Sequence, residues 1–321
     1  MNNPDTIHWA DEKEAIKSNR PLKFVLLLLK LLQAWLARSA IYPVSFFYYL
    51  FSSRARNESY RFQKQLYDYT KGESPKKIRA YRQILSFALC IMEKMQGWLG
   101  QIKYKSVEIQ NDDISLLLNQ LKEKKGAMLI ASHHGNMELM RSLSGYCSEL
   151  VGFDVPIVVI MELGTSEQFV KTLNEINCES AQNIINAADV GPDTICYLME
   201  EIEKGALVII AGDRTSAHSR DKVIVQDFLG KPAPFPYGAF LIPFLLKCPV
   251  YYMFGLRSKT SVFNPKQRLY LEKSLIETDC SRAEREEKIK ALCGEFGSKL
   301  EKYSIMYPYQ WYNFYNFWNV E

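Results

Sequence analysis

Short apolar runs alternate with amphipathic stretches from Asp112 onward. The runs that predict strands are Ala127–Ala131, Pro156–Ile160, Asn183–Ile185, Leu207–Ala211, Lys222–Gln226, Val250–Leu256 and Arg268–Glu272. Helical periodicity is found at Asp112–Glu123, Met137–Cys147, Glu167–Ile176, Thr194–Glu203, Tyr237–Lys247 and Arg282–Tyr303. Strands that alternate with helices are typical of a parallel or mixed sheet covered by helices. We therefore predict an α/β fold with a mixed, largely parallel central sheet flanked by helices.

The N-terminal third contains a long apolar segment, Phe24–Phe51, which Lys30 and Arg38 interrupt. A membrane-spanning helix needs about 20 predominantly apolar residues. The two cations are eight residues apart and so lie on one helical face, which favours a helix lying in the membrane interface. The alternatives are a tilted span with snorkelling cations and a helix packed on the domain core. Pro43 is expected to break or kink the segment, and the polar residues before Phe24 do not resemble a cleavable signal peptide.

The charge of the chain is unevenly distributed. Residues 1–110 hold 18 Lys and Arg against 9 Asp and Glu, a net charge of +9, whereas the remainder carries −5. A basic region suggests an anionic partner, and its high apolar content favours a membrane surface over nucleic acid. We predict a helical, membrane-associating region over residues 1–110, with helices within 54–105, and an α/β domain over residues 111–321.

The predicted strand Ala127–Ala131 runs directly into His133, and Glu138 follows five residues later. In α/β sheets, ligands bind at the carboxyl ends of the strands. Gly135 permits a sharp turn, and Asn136 is a good helix N-cap. The region therefore has the expected layout of a site at a strand–turn–helix junction.

His133 and Glu138 suit general-base chemistry. A hydroxyl is a poor nucleophile at neutral pH, and a neutral imidazole with a pKa near about 6.5 can take its proton during attack. A carboxylate on the other ring nitrogen would fix the tautomer, and backbone N–H groups at the turn and helix start are candidate donors to the oxyanion. Because a His and a Glu at this spacing are common, a structural histidine is the alternative. The adjacent His134 is assigned to pocket lining or a helix-start contact, although it could be the base instead.

Two motifs resemble one enzyme family. Segment 132–138, Ser-His-His-Gly-Asn-Met-Glu, resembles the H-F-G-N-W-E block of the lipid A biosynthesis acyltransferases, the lauroyl and myristoyl transferases of the lysophospholipid acyltransferase superfamily. His134 and Met137 stand where that block has aromatic residues. Segment 228–238, Phe-Leu-Gly-Lys-Pro-Ala-Pro-Phe-Pro-Tyr-Gly, resembles the family's F-x-G-x-P-A block. The N-terminal apolar helix and the aromatic C-terminus match as well, so the resemblance covers nearly the whole chain.

The resemblance implies an acyltransferase at the cytoplasmic face of the inner membrane, held peripherally or by one N-terminal anchor. It implies an acyl-carrier-protein or acyl-CoA donor and a lipid or lipid-linked hydroxyl as acceptor. Asp-Arg-Thr at 213–215 and the aromatic ending look more like acyltransferases encoded with aryl polyene pigments, so the acceptor need not be lipid A. A thioesterase using the same pair of residues and a non-catalytic lipid-binding relative are the alternatives.

The predicted site residues are His133 and Glu138 as catalytic residues, and Gly135, Asn136, Asp213 and Arg214 as substrate-binding residues. Asp213 and Arg214 follow the strand Leu207–Ala211 and can reach the same cleft. Arg214 would clamp a phosphate, or else form a surface or interdomain ion pair. The loop Phe228–Gly238 would wall an acyl groove or simply connect elements.

Several other site classes are not supported by the sequence. There is no G-x-S-x-G elbow, no P-loop and no G-x-G-x-x-G, and the four histidines and unpaired cysteines do not suggest a zinc site. The proposed reaction needs no metal or redox cofactor. The seven scattered cysteines are interpreted as reduced, buried side chains. Nine aromatic residues within Tyr303–Trp318 would lie at the membrane interface or pack on the core.

Overall fold

The computed structural model describes residues 34–98, 107–110, 113–162, 183–215, 221–261, 263 and 265–319. The predicted helix Glu167–Ile176 lies outside these residues, as do positions 24–33 of the apolar segment, including Lys30.

A seven-stranded mixed sheet forms the centre of the fold, in the order β1-β9-β8-β2-β5-β3-β4. Its strands are β1 (Val107–Gln110), β2 (Ala127–Ala131), β3 (Ile157–Met161), β4 (Asn183–Asn186), β5 (Leu207–Ala211), β8 (Val250–Lys259) and β9 (Lys266–Lys273). The strands from β8 to β4 in this order are parallel, whereas β9 pairs antiparallel with β8 and parallel with β1. The predicted α/β class with a largely parallel sheet is confirmed.

Helices cover both faces of this sheet. The α-helices in the described residues are α1 (Ala34–Phe51), α2 (Ser53–Tyr69), α3 (Ala80–Trp98), α4 (Asp113–Lys122), α5 (Leu139–Val151), α6 (Pro192–Glu203), α7 (Tyr237–Leu246) and α8 (Arg285–Met306), of which α4 to α8 form the two covering layers. Buried side chains of α4 and α5 share one apolar core with the sheet, and those of α6, α7 and α8 share the other. The central strand β2 is buried at every position, because it has helices on both sides.

A separate antiparallel hairpin, β6 (Val223–Phe228) and β7 (Lys231–Pro236), packs against α8. The predicted loop over Phe228–Gly238 is therefore wrong, because β7 is a strand despite three prolines. The prolines alternate at 232, 234 and 236, so their nitrogens all face the same way. Because proline has no N–H to donate to a neighbouring strand, these nitrogens lie on the edge of β7 that faces away from β6.

Helix α1 continues through Pro43, so the predicted break does not occur. One face of α1 packs on α3, where Tyr81 contacts the rings of Phe46 and Tyr49. Away from this contact α1 exposes large apolar side chains, namely Trp35, Leu36, Val44, Phe47, Tyr48, Leu50 and Phe51, and Phe46 itself is half exposed. Within the described ranges, no helix combines the length and apolarity needed to cross a membrane.

The predicted boundary after residue 110 falls too late in the chain. Val107–Gln110 is the edge strand β1 and belongs to the sheet through its pairing with β9. The helices before it also contact the α/β part, since Gln83 Nε2 on α3 donates to the carbonyl of Trp311.

Among the described cysteines all are free thiols. Cys90, Cys147, Cys248 and Cys293 are buried, as predicted, whereas Cys196 is exposed. Cys178 lies outside the described residues.

Candidate active site

The register between β2 and β5 brings His133 and Asp213 together. The two strands are parallel, and Ala131 at the end of β2 pairs with Ala211 at the end of β5. His133 and Asp213 each lie two residues further along, and the amide of Gly212 donates to the carbonyl of Ala131 at 2.8 Å. Two segments that are distant in sequence thus present their side chains at one edge of the sheet.

The carboxylate of Asp213 is fully buried and receives hydrogen bonds from several donors. Nδ1 of His133 lies 2.8 Å from Oδ1 of Asp213, and the His133 amide donates to both carboxylate oxygens. The indole Nε1 of Trp311 donates to Oδ2 at 2.9 Å. These donors hold the carboxylate in one orientation toward the imidazole.

The protonation states of this pair follow from its surroundings. Burial alone would raise the pKa of Asp213, but His133, the indole N–H of Trp311 and Arg214 together hold that pKa below its usual value. Burial, and then the charge of Arg214, lower the pKa of His133 to about 4 against the opposing effect of Asp213. At neutral pH the imidazole is therefore neutral and the carboxylate is ionised. Nδ1 then carries the proton shared with Asp213, and the lone pair of Nε2 is free to accept one.

Glu138 does not contact Nδ1 of His133, which is hydrogen-bonded to Asp213. Its Oε2 instead lies 3.2 Å from Nε of Arg141, three residues along the first turn of α5. The predicted Glu138–His133 hydrogen bond is therefore wrong, because Nδ1 of His133 is held across the sheet by Asp213 and Glu138 pairs along its own helix. A catalytic role for Glu138 stays a prediction.

The turn after β2 requires glycine at two places. Gly135 has φ +86°, and a Cβ there would come within 2.1 Å of the carbonyl oxygen of Gly255 on β8. A Cβ on Gly255 would come within 2.3 Å of the carbonyl oxygen of Asn136. The amide of Asn136 donates to the Gly255 carbonyl at 2.6 Å, and its side-chain Oδ1 accepts the amide of Glu138. The predicted turn at Gly135 is confirmed, whereas the matching role of Gly255 was missed. The predicted N-cap at Asn136 is wrong, because α5 begins at Leu139 and its N-cap residue is Glu138.

Most backbone amides of this turn already have acceptors. In each pair the backbone N–H of the first residue donates: His133 to the Asp213 carboxylate, His134 to Ser132 Oγ, Gly135 to the Gln310 carbonyl, Asn136 to the Gly255 carbonyl, and Glu138 to Asn136 Oδ1. The prediction that backbone N–H groups at the turn and helix start bind the oxyanion is therefore wrong for these amides. Met137 carries the one amide between 133 and 138 without an acceptor in the described part of the chain.

His134 is a buried structural residue in this arrangement. It is 1% exposed and forms a β-bridge with Trp311. Its Nδ1 lies 3.4 Å from Oγ of Ser304, and burial lowers its pKa to about 3, with Asp213 opposing the shift. Because a substrate hydroxyl cannot reach an enclosed side chain, His133 is the better candidate for the base.

The C-terminal segment, residues Tyr307–Asn319, lies across the turn. The amide of Tyr312 donates to the carbonyl of His133 at 3.0 Å, and Trp311 and Phe317 are almost fully buried. The core-packing alternative for these aromatic residues is the one observed. The hydrogen bond from the indole N–H of Trp311 to Asp213 was not predicted, since the aromatic cluster was assigned only to the membrane interface or to the core.

Arg214 is engaged with the same segment. Its Nε donates to Oδ1 of Asn313 at 2.8 Å, and its Nη2 donates to the carbonyl of Tyr312 at 3.0 Å. This anchoring was not among the predicted roles of Arg214, and its binding of a substrate phosphate stays a prediction.

Helix α3 forms another side of the site. Nε and Nη2 of Arg257, on β8, lie 2.8 and 2.7 Å from the two carboxylate oxygens of Glu93, on α3, and both side chains are buried. The thiol of Cys90, also on α3, donates to the carbonyl of Gly135 at 3.4 Å. The helix is thereby fixed against both the sheet and the turn.

Across the described ranges, no three His, Cys, Asp or Glu side chains gather closely enough to hold a metal ion. In comparisons with known proteins, no family model matches the chain, and no curated protein matches it at a significant level. The chemistry of the site thus follows from the geometry of His133, Asp213 and their neighbours.

Proposed function

We propose that the protein is an acyltransferase that moves a fatty acyl group from a thioester to a hydroxyl. The donor is an acyl-carrier-protein or acyl-CoA, and the acceptor is a membrane lipid or lipid-linked molecule. The observation that carries this proposal is the hydrogen bond from His133 to the buried carboxylate of Asp213, which leaves Nε2 unprotonated. A general base needs this state at neutral pH, and the side chain of His133 is 22% exposed, so a substrate can reach it.

The reaction balances without any other group. The acceptor hydroxyl gives its proton to Nε2 of His133 as its oxygen attacks the thioester carbonyl carbon. Asp213 stabilises the imidazolium that forms. The carbon–sulfur bond then breaks, the new ester is released, and the proton on Nε2 passes to the leaving thiolate.

Direct attack is favoured over an acyl-enzyme. The nearby thiol, Cys90, is buried, and its burial raises its pKa to about 11, so it is not a thiolate nucleophile. The nearby hydroxyl, Ser132, is 2% exposed and accepts the His134 amide. Neither group is placed to be acylated, which favours the substrate hydroxyl as the nucleophile.

The exposed face of α1 supports binding to a membrane surface. Phe51 is 85% exposed and Phe47 58%, and Trp35 stacks on the exposed ring of Phe263 at 5.7 Å. A cluster of large exposed apolar side chains on one helix is typical of an interaction site. The net charge of +9 over residues 1–110 complements anionic lipid. We propose that this face docks on the cytoplasmic side of the inner membrane.

Transfer from radiolabelled acyl-carrier-protein into membrane lipid extract tests the acyltransferase proposal. Wild type is expected to label a discrete lipid, and His133→Ala is expected to lose at least about a hundredfold in rate, as for loss of a general base. Release of free fatty acid alone would instead identify a thioesterase. Equal labelling by wild type and His133→Ala would reject catalysis by this residue.

Sedimentation with anionic and neutral vesicles tests the membrane proposal. The double variant Phe47→Ser/Phe51→Ser is expected to bind anionic vesicles at least about tenfold more weakly, since it removes two exposed aromatic side chains. Leu275→Ser is the matched control, because Leu275 is 88% exposed but lies after β9, away from α1. Equal loss in both variants, or no loss in either, would contradict docking through α1.

A further inference from the structure

One stripe of helix α3 faces the candidate site. Gln83 donates to the Trp311 carbonyl, Ser86 accepts from Arg257, Cys90 donates to the Gly135 carbonyl, and Glu93 pairs with Arg257. These positions recur at intervals of three and four residues, the spacing of one helical face. Lys94 is one turn beyond Cys90 and therefore continues this stripe past the turn.

Lys94 lacks an anionic partner in the described part of the chain. The carboxylates of the site are already paired, since Glu93 pairs with Arg257, Glu138 with Arg141 and Asp213 with His133. Its side chain is partly exposed. A cation of this kind beside a cleft is free to bind a substrate anion.

The positive charge of Lys94 affects the pKa values of His133 and Cys90. It contributes, after burial, Arg214 and Asp213, to the pKa of His133, where it acts to lower the value. It also opposes the effect of burial on the thiol of Cys90. This agrees with the position of Lys94 on α3, one helical turn beyond the thiol of Cys90 that contacts the Gly135 carbonyl.

We propose that Lys94 binds a phosphate on the acceptor, a few bonds from the hydroxyl that His133 deprotonates. This inference rests on the proposed acyl transfer. The hydroxyl must lie within hydrogen-bonding distance of Nε2, so an anion held by a neighbouring ammonium belongs to the same part of the same molecule. The phosphate of a thioester donor is separated from its sulfur by the whole pantetheine arm, which places it elsewhere. The acceptor class is accordingly a hydroxyl-bearing phospholipid or lipid phosphate.

Binding of small probes by calorimetry tests this site without catalysis. The probes are hexanoyl-lysophosphatidic acid and its neutral counterpart monohexanoylglycerol, together with 4′-phosphopantetheine and pantetheine. Lys94→Met is expected to weaken binding of the lysophosphatidic acid by about tenfold or more, the size of one charge-assisted hydrogen bond, and to leave monohexanoylglycerol unchanged. Lys94→Arg restores the charge and is expected to bind within a few-fold of wild type.

Lys290→Met is the control for loss of one positive charge, because Lys290 lies on α8 and pairs with Glu286. Three outcomes would overturn the proposal: equal binding by Lys94→Met and wild type, equal weakening of the neutral probe, or no preference of wild type for the phosphorylated lipid. A loss confined to 4′-phosphopantetheine would overturn the acceptor assignment in favour of the donor. Failure of the acyltransferase proposal shows separately, as an absence of transfer by wild type in the labelling assay.

Discussion

His133 and Asp213 occupy matching positions, each two residues beyond the end of one of two neighbouring parallel strands, with 2.8 Å between Nδ1 and Oδ1. The ladder that pairs Ala131 with Ala211 fixes this spacing. The pair is thus set by the register of the sheet and not by a surface loop. Such rigid support keeps a base and its orienting carboxylate in place before the substrate arrives.

Asp213→Asn is expected to lower kcat/KM for acyl transfer by about a thousandfold, because the amide cannot stabilise the imidazolium and can favour the wrong tautomer. The substitution preserves shape, so the circular dichroism spectrum is expected to stay that of wild type. The measurement is the transfer rate at pH 7 under subsaturating donor.

Glu138→Gln provides the comparison for that variant. Glu138 pairs with Arg141 and not with the imidazole, so we expect a loss below about tenfold, the range of a partly exposed ion pair. A larger loss for Glu138→Gln than for Asp213→Asn would show that the carboxylate on the helix, and not the one across the sheet, serves the base.

The pH dependence of kcat/KM is expected to reflect the depressed pKa of His133. The base works only when neutral, so activity falls as the pH drops through a pKa of about 4 and is level from about pH 5.5 to 8. Rapid assays from buffered pH jumps measure the profile before the protein unfolds. An acidic limb centred near 6.5 would contradict the burial of the imidazole in the free enzyme.

Burial of His134 is expected to make the fold sensitive to acid. Its folded-state pKa is about 3, below that of an unfolded histidine near 6.5, so the unfolded chain takes up the proton first as the pH falls. The contribution of neutral His134 to the free energy of unfolding is present above pH 6.5 and is lost progressively below it. Between pH 7 and 5 the free energy of unfolding falls by about 2 kcal/mol because of this residue. Denaturant unfolding of His134→Gln at both pH values is expected to show a pH effect smaller by that amount; an unchanged effect would place the titrating group elsewhere.

Gly135→Ala is expected to destabilise the protein by more than about 3 kcal/mol, since it adds a steric clash with the Gly255 carbonyl to the strain of a positive φ. Gly152→Ala is the matched control: φ is +82° there, but no atom lies within 4 Å of the added Cβ. Backbone strain alone is expected to lower the free energy of unfolding of Gly152→Ala by about 1 kcal/mol. Equal free energies of unfolding for the two variants would argue against the close contact between the turn and β8.

The sequence predicted the sheet well where strands are buried on both sides. Ala127–Ala131 and Leu207–Ala211 have the predicted bounds, because short continuous apolar runs mark central parallel strands. Strand β7 was missed since alternate prolines are atypical of strands, and β1 since four residues give little periodicity.

The site was predicted only in part, and the physical reason differs from that for the missed strands. His133 and Asp213 were both placed at strand ends, but the partner of the imidazole depends on which strands are neighbours and in what register. That information is not local, so the nearby Glu138 was chosen instead. The hydrogen bond from Trp311 depends likewise on where a distant segment packs.

The separations along the chain bear on how the molecule folds. His133 and Asp213 are 80 residues apart, and Asp213 and Trp311 are 98 apart. Contacts of such long sequence separation require large loops to close, which slows their formation relative to helices and hairpins. During refolding, helical signal is therefore expected to recover ahead of activity, and a chain arrested between the two stages would be well structured yet lack an oriented base.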